Sequence, residues 1–155
     1  MKKKHIFISF CIIFLFFLSF LSLNRYRVII SPLKEYKIIG VKIKNKSFTL
    51  FIADSEEKKN KGLSQLSKIK DTEGMLFTFS KPDYYFFWMK DMQFSLDFIF
   101  MNGNTVVAVL NNVEPGTYPQ AFSSPYLFDK AIELSAGQVK RLDLQVGEII
   151  SFKSL

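Results

Sequence analysis

Residues 84–100 read YYFFWMKDMQFSLDFIF, and eight of these 17 residues are aromatic. A surface loop has no use for so much ring area, so the segment belongs against a core. It also holds the chain's single tryptophan, Trp88, together with Lys90, Asp91 and Asp97. A plain core strand would not carry those charges, because burying one without a partner is costly. The pattern predicts two strands, 84–89 and 96–101, joined by a turn over 90–95. Any reading of the protein has to account for this aromatic hairpin and for the charges in it.

The rest of the chain is built to the same scale. Alternation and β-branched content predict strands over 38–43 and 48–52, joined through 44–47. A short helix follows, with Asp54 as its cap, Glu57 three residues on and Gly62 to end it. Strands are predicted over 74–79 and 105–110, the latter entered through Asn102-Gly103-Asn104, the clearest hairpin turn in the chain. Residues 111–129 contain Pro115, Gly116, Pro119 and Pro125 without periodicity and read as a long loop, functional or mobile. A strand over 131–134, a helical turn within 139–144 and a last strand over 147–152 complete the series. About eight short strands with one or two short helices predict a mainly β (α+β) domain, a small barrel or sandwich.

Ahead of that domain lies a different kind of sequence. Lys2, Lys3 and Lys4 precede an uncharged run from Ile6 to Leu23, and Arg25 and Arg27 follow it. A basic start and an apolar stretch are the grammar of a secretory signal. The run is long for a cleavable signal and close to a bilayer span, so residues 1–27 are read as a signal-anchor, with a cleaved signal peptide as the alternative. Residues 28–37 are the linker and 38–155 the single β-rich domain. Both alternatives put the domain outside the cytoplasm, membrane-anchored in one case and secreted or periplasmic in the other.

Composition then narrows the chemistry. Five of the 21 basic residues lie in the first 27 positions, which leaves 16 against 14 acidic residues, a net of +2 for the remainder. That is no footprint for nucleic acid. The single cysteine, Cys11, and the single histidine, His5, both lie in the N-terminal stretch. The domain therefore has no disulfide, no Cys/His zinc site and no Ser-His-Asp or Cys-His constellation. No cofactor or metal is expected, and Met75, Met89, Met92 and Met101 are read as core packing because their spacing is not that of a soft-metal site.

Several signals recur in a fixed order: Ala53-Asp54 through Gly62-Leu63; Gly74-Met-Leu-Phe77 with Phe79; Phe87-Trp-Met-Lys90; Leu96-Asp-Phe-Ile-Phe100; Gly103 with Val106-Val107; and Ile132-Glu-Leu134 with Ala136-Gly137. Together they resemble domain of unknown function 192 (DUF192) over roughly residue 38 to the C-terminus. The Trp-Met-Lys segment, followed by Leu-Asp, is the specific part. The resemblance implies a small barrel-like β domain, often exported in bacteria, with no established activity. The chain departs from the pattern at Asp91-Met92, where the family usually has Asn-Thr. It departs again at Ser95, where Pro is common before Leu-Asp, and at Ser64, where Met often follows Gly-Leu. The basic residue typical of the helix is present as Lys59.

Lys90, Asp97 and Glu133 stand in apolar surroundings, and each needs a partner. In one reading Lys90 pairs with Asp97 across the turn while Glu133 accepts backbone donors. In the other, these three line a cleft walled by Trp88, Phe86 and Tyr84, with the 111–129 loop as its lid. The candidate binding residues are thus Trp88, Lys90, Asp97, Glu133, Tyr84 and Phe86, and no catalytic residue is assigned. The function expected is a non-enzymatic, membrane-tethered module for a small ligand, an envelope polymer or a protein partner. Two alternatives remain: a hydrolase of envelope glycan or peptide using paired Asp97 and Glu133, and a structural accessory protein of an envelope assembly with the Phe-rich face as its interface.

Overall fold

A computed structural model describes residues 32–153. The expected signal-anchor lies outside the described residues, as do the first residues of the linker. Among the described residues no helix is long and apolar enough to cross a membrane. The elements in order are β1 (Ile38–Ile43), β2 (Lys46–Ala53), α1 (Glu56–Lys61), β3 (Glu73–Asp83), β4 (Leu96–Asn102), β5 (Thr105–Val113), a 3-10 turn (Pro115–Thr117), β6 (Phe128–Ser135), α2 (Gln138–Leu142) and β7 (Ser151–Lys153).

The seven strands form one sheet, in the order β5-β4-β6-β3-β2-β1-β7. Its two ends approach each other. The Val106 amide donates to the Glu148 carbonyl, the Gly147 amide to the Val106 carbonyl and the Ile150 amide to the Asn104 carbonyl. The strand pair β1/β7 is thereby tied back to the start of β5, and the sheet curls into a half-barrel. Two hairpins are local, β1/β2 and β4/β5, and Gly103 takes the positive φ that its tight turn requires (61°). β2 and β3 run parallel, which a hairpin cannot achieve. The crossover between them is residues 54–72, which carry α1.

Alternation along the strands sorts apolar residues onto two faces. Val41, Ile43, Leu50, Leu76, Ile99, Met101, Val106, Ile132 and Leu134 form one cluster with Val139 and Leu142 of α2. It draws on strands from both ends of the sheet, so it fills the inside of the curl. Phe77, Phe98, Phe100, Phe128, Met75 and Ala131 point the other way and build a second cluster with Leu63, Phe87 and Met89. The crossover and residues 84–94 cover this outer face.

Two local expectations are corrected. Residues 84–95 with β4 are not a hairpin. Both edges of β4 are occupied, by β5 and by β6, so 84–89 has no edge to join. It lies over the outer face as an extended segment whose sole ladder contact is the Phe87–Phe122 bridge. Phe87 and Met89 point inward and Tyr84, Phe86 and Trp88 outward. The helix cap is Ser55, whose hydroxyl accepts from the Lys58 amide, 3.3 Å away. Asp54 instead pairs with Lys58 and Lys37, and these two ammonium groups pull its carboxyl down to about 2.

Candidate functional site

Glu133 sits in the middle of β6, opposite Met75 of β3 on one side and Phe98 of β4 on the other. Cross-strand partners share a face, so its carboxyl stands between two fully buried apolar side chains on the outer face. It is 6% exposed. Among the described residues no hydrogen bond or ion pair reaches it, and its Oε2 is buried without a partner. Burial without compensation disfavours the charged form, and the carboxyl is pushed up to about 8. At neutral pH it is mostly a neutral acid.

The carboxyl is not sealed in. Above it, α1 ends at Gly62, with φ at 50°, a conformation that a side chain would strain. A Cβ at that position would stand 3.7 Å from Glu133 Oε2 and from the Phe77 ring. The helix thus ends with bare backbone over the acid and leaves it facing a cavity of about 290 Å³. Phe77, Phe79, Tyr85, Phe86, Phe87 and Trp88 supply aromatic wall, with Leu63 and Met92 beside them. Glu56, Lys59, Asn60 and Lys61 come from the helix, and Lys90 from the facing segment.

The cations at this cavity differ in their commitments. Lys59 pairs with Glu56 at 3.0 Å and lies over the Phe79 ring, 4.7 Å from its centre. Lys61 pairs with Glu57 at 2.7 Å. Lys90 is exposed and makes no hydrogen bond or ion pair. The aromatic wall is held from behind. Phe87 packs edge-on against Phe77 at 5.2 Å and against Phe98 at 5.5 Å, while Tyr85 stacks on Phe79 at 3.6 Å. Trp88 and Phe86 are 42% and 63% exposed, with ring surface left for a visitor.

Of the residues singled out in the sequence, the structure brings Trp88, Phe86, Lys90 and Glu133 to one cavity. Tyr84 points to solvent and does not line it. Asp97 belongs elsewhere. It pairs in register with Leu134, the neighbour of Glu133, and so faces the inside of the curl. There it is fully buried and accepts the Asn112 and Val139 amides, each at 2.8 Å. It fastens the end of β5 to the first turn of α2. The expected roles are therefore exchanged: Asp97 takes backbone donors, Glu133 has none, and Lys90 pairs with neither. Because the two carboxylates face opposite sides of the sheet, they cannot flank one scissile bond, and the paired-carboxylate hydrolase arrangement is absent. The 111–129 loop is no lid either. Phe122 packs it on Phe98, at 4.8 Å, and on Phe87, and none of its residues lines the cavity.

Sequence reasoning missed Lys59, Asn60, Gly62, Phe77, Phe79 and Tyr85. The available signal was Gly62, read as a helix stop when its lack of a side chain also opens the site. Among the described residues no three His, Cys, Asp or Glu side chains gather as a metal group would require.

Fold and site together define a small curled-barrel β domain with an aromatic side pocket floored by one buried acid. The chain belongs to the DUF192 family, "Uncharacterized ACR", whose model matches residues 39–152. Two crystal structures share the fold. A "putative transcription regulator" from Sinorhizobium meliloti 1021 is 24% identical, with a TM-score of 0.69 over 76% of this chain and 95% of its own. A protein of unknown function from Novosphingobium aromaticivorans DSM 12444 is 22% identical, with a TM-score of 0.63 over 75% of this chain and 84% of its own. No curated protein matches the chain.

Proposed function

We propose that this protein is an exported, membrane-tethered binding module that takes a small ligand into the cavity between α1 and residues 84–92. One observation carries the reading: Glu133 is buried, lacks any partner, and faces an open cavity. An unsatisfied buried carboxyl destabilises a fold unless something else makes use of it. The surrounding aromatic surface, with a few convergent polar groups, has the make-up of a ligand site. Tethering outside the cytoplasm rests on the three lysines and the apolar run before the domain. The regulatory description of the S. meliloti protein is not carried over. The domain is nearly neutral, and none of its lysines forms a stripe with the pocket aromatics along a helix long enough to read a groove.

The test uses Trp88, the one tryptophan of the chain, as a reporter at the mouth of the cavity. A small-molecule library screened by Trp88 emission and thermal shift is expected to yield ligands that change both. Glu133→Leu should lose those responses while remaining folded. If no compound moves Trp88 emission in the wild type, the binding reading fails. Export is tested separately with a phosphatase fused after residue 155, which is active only if the domain leaves the cytoplasm.

A further inference from the structure

Resting on that binding reading, we infer that the ligand is a small zwitterion of the amino-acid class, its ammonium group against Glu133 at the cavity floor and its carboxylate at Lys90 on the rim. Once ionised, Glu133 offers two acceptor oxygens, and among the described residues nothing fills them. A neutral hydrogen-bond donor would satisfy one oxygen. A compact cation satisfies both charge and hydrogen bonding at a carboxylate in an apolar wall. The protein's own cations are not placed to do this. Among the described residues no lysine nitrogen comes within 4.0 Å of the carboxyl, Lys59 and Lys61 are engaged by Glu56 and Glu57 on the same helix, and Lys90 stays free.

The same cavity also offers a cation. The unpaired ammonium of Lys90 is the rim group available to an anion. The rings of Phe77, Phe79, Tyr85 and Trp88 line the same cavity and suit an apolar or aromatic body. A volume of about 290 Å³ lies at the small end of ligand pockets, about 300–1,000 Å³, and suits a small molecule. A free amino acid with a large side chain meets each condition.

Binding of this kind is linked to protonation. Glu133 faces Met75 and Phe98 on the neighbouring strands, Gly62 on the crossover, and the cavity itself. The charged groups across that cavity are Glu56, Lys59, Lys61 and Lys90, with Tyr85 in the wall. An ammonium ion drawn to the floor stabilises the carboxylate, so the acid's proton leaves to solvent as the ligand enters.

The experiment titrates the full chain, in lipid nanodiscs near neutral pH, with L-phenylalanine, N-acetyl-L-phenylalanine and L-phenylalanine amide. Trp88 emission and calorimetry in two buffers of different ionisation enthalpy are the readouts. L-phenylalanine is expected to bind with net proton release, since burial keeps Glu133 mostly protonated near neutral pH before the ligand enters. The acetylated probe should bind at least tenfold more weakly, and the amide severalfold more weakly. Glu133→Gln should weaken L-phenylalanine at least tenfold and abolish proton release, and Lys90→Met should affect the free acid but not the amide. Equal affinity for the acetylated probe, binding without proton release, or no saturable binding of L-phenylalanine would each overturn the inference. If a neutral library compound still moves Trp88 emission, the cavity remains a binding site and only the ligand class is wrong. If nothing does, both readings fall. The probe series on the wild type needs no variant, so a misfolded mutant cannot hide the answer.

Discussion

Replacing Glu133 by Gln should flatten the dependence of stability on pH. In the folded protein the carboxyl is raised to about 8, from an ordinary value of 4.5 in the unfolded chain. Between those values the native state holds a proton that the unfolded state has lost. The sign follows from linkage: stability is fullest below about pH 4.5 and falls as pH rises, at up to about 1.4 kcal/mol per unit, until about pH 8. Summed over the window the loss is about 5 kcal/mol. That is comparable with the whole stability of an ordinary domain, about 5–15 kcal/mol. Gln has nearly the same shape and no charge to desolvate. The variant should match the wild type near pH 5 and exceed it by several kcal/mol near pH 8.5. Urea denaturation followed by Trp88 emission, on a fragment starting at Pro32, supplies the comparison. Such a fragment retains every residue of both apolar clusters. Parallel pH profiles for the two proteins would refute the claim that Glu133 is desolvated without a partner.

Three further substitutions separate framework from site. Asp97→Asn removes the charge that accepts two amides inside the curl. It should cost about 3 kcal/mol in denaturant unfolding, with the Trp88 response to ligand retained at saturating concentration. Gly74→Ala would put a Cβ 2.4 Å from the Glu133 carbonyl and 2.6 Å from a Leu134 methyl. It should lower stability by about 3 kcal/mol or more by parting β3 from β6, seen as a lower Tm and lost amide protection along both strands. Phe87→Ala withdraws the ring behind the cavity wall and should cost about 3–5 kcal/mol, with Trp88 emission shifted to the red even without ligand.

Much of this fold was legible because most of its strands announce themselves locally. Residues 38–43, 105–110 and 131–134 alternate or run apolar between turn residues, and Asn102-Gly103 marks its hairpin. The pairing was less legible. Nothing local tells β2 to run parallel to β3, or β4 to insert between β5 and β6; those choices follow from how the outer and inner faces close. That is why 84–89, with the composition of a strand, ended as a cover for the outer face. The site followed the same division. Trp88, Lys90 and Glu133 were found because a charge or a large ring in apolar sequence is visible one residue at a time. Asp97 carried the same signal for a different reason, since a buried carboxylate that ties two backbone amides looks alike in sequence. Which acid was satisfied depended on which face each occupied, and adjacent register positions on β4 and β6 decided it. Lys59, Phe79 and Gly62 were invisible as site residues because the crossover that brings them over Glu133 is tertiary.

The central claim is that ligands enter the cavity over Glu133, and chemical-shift mapping tests it most directly. Backbone amide shifts of the labelled domain, recorded with any compound that moves Trp88 emission, should change most at Asn60, Gly62, Leu63, Phe87, Trp88, Lys90 and Glu133. Asn112 and Val139, which bond Asp97 on the far face of the sheet, should stay in place. Shifts centred on those two residues, or on the outward ring of Tyr126, with Gly62 and Glu133 unmoved, would contradict the account.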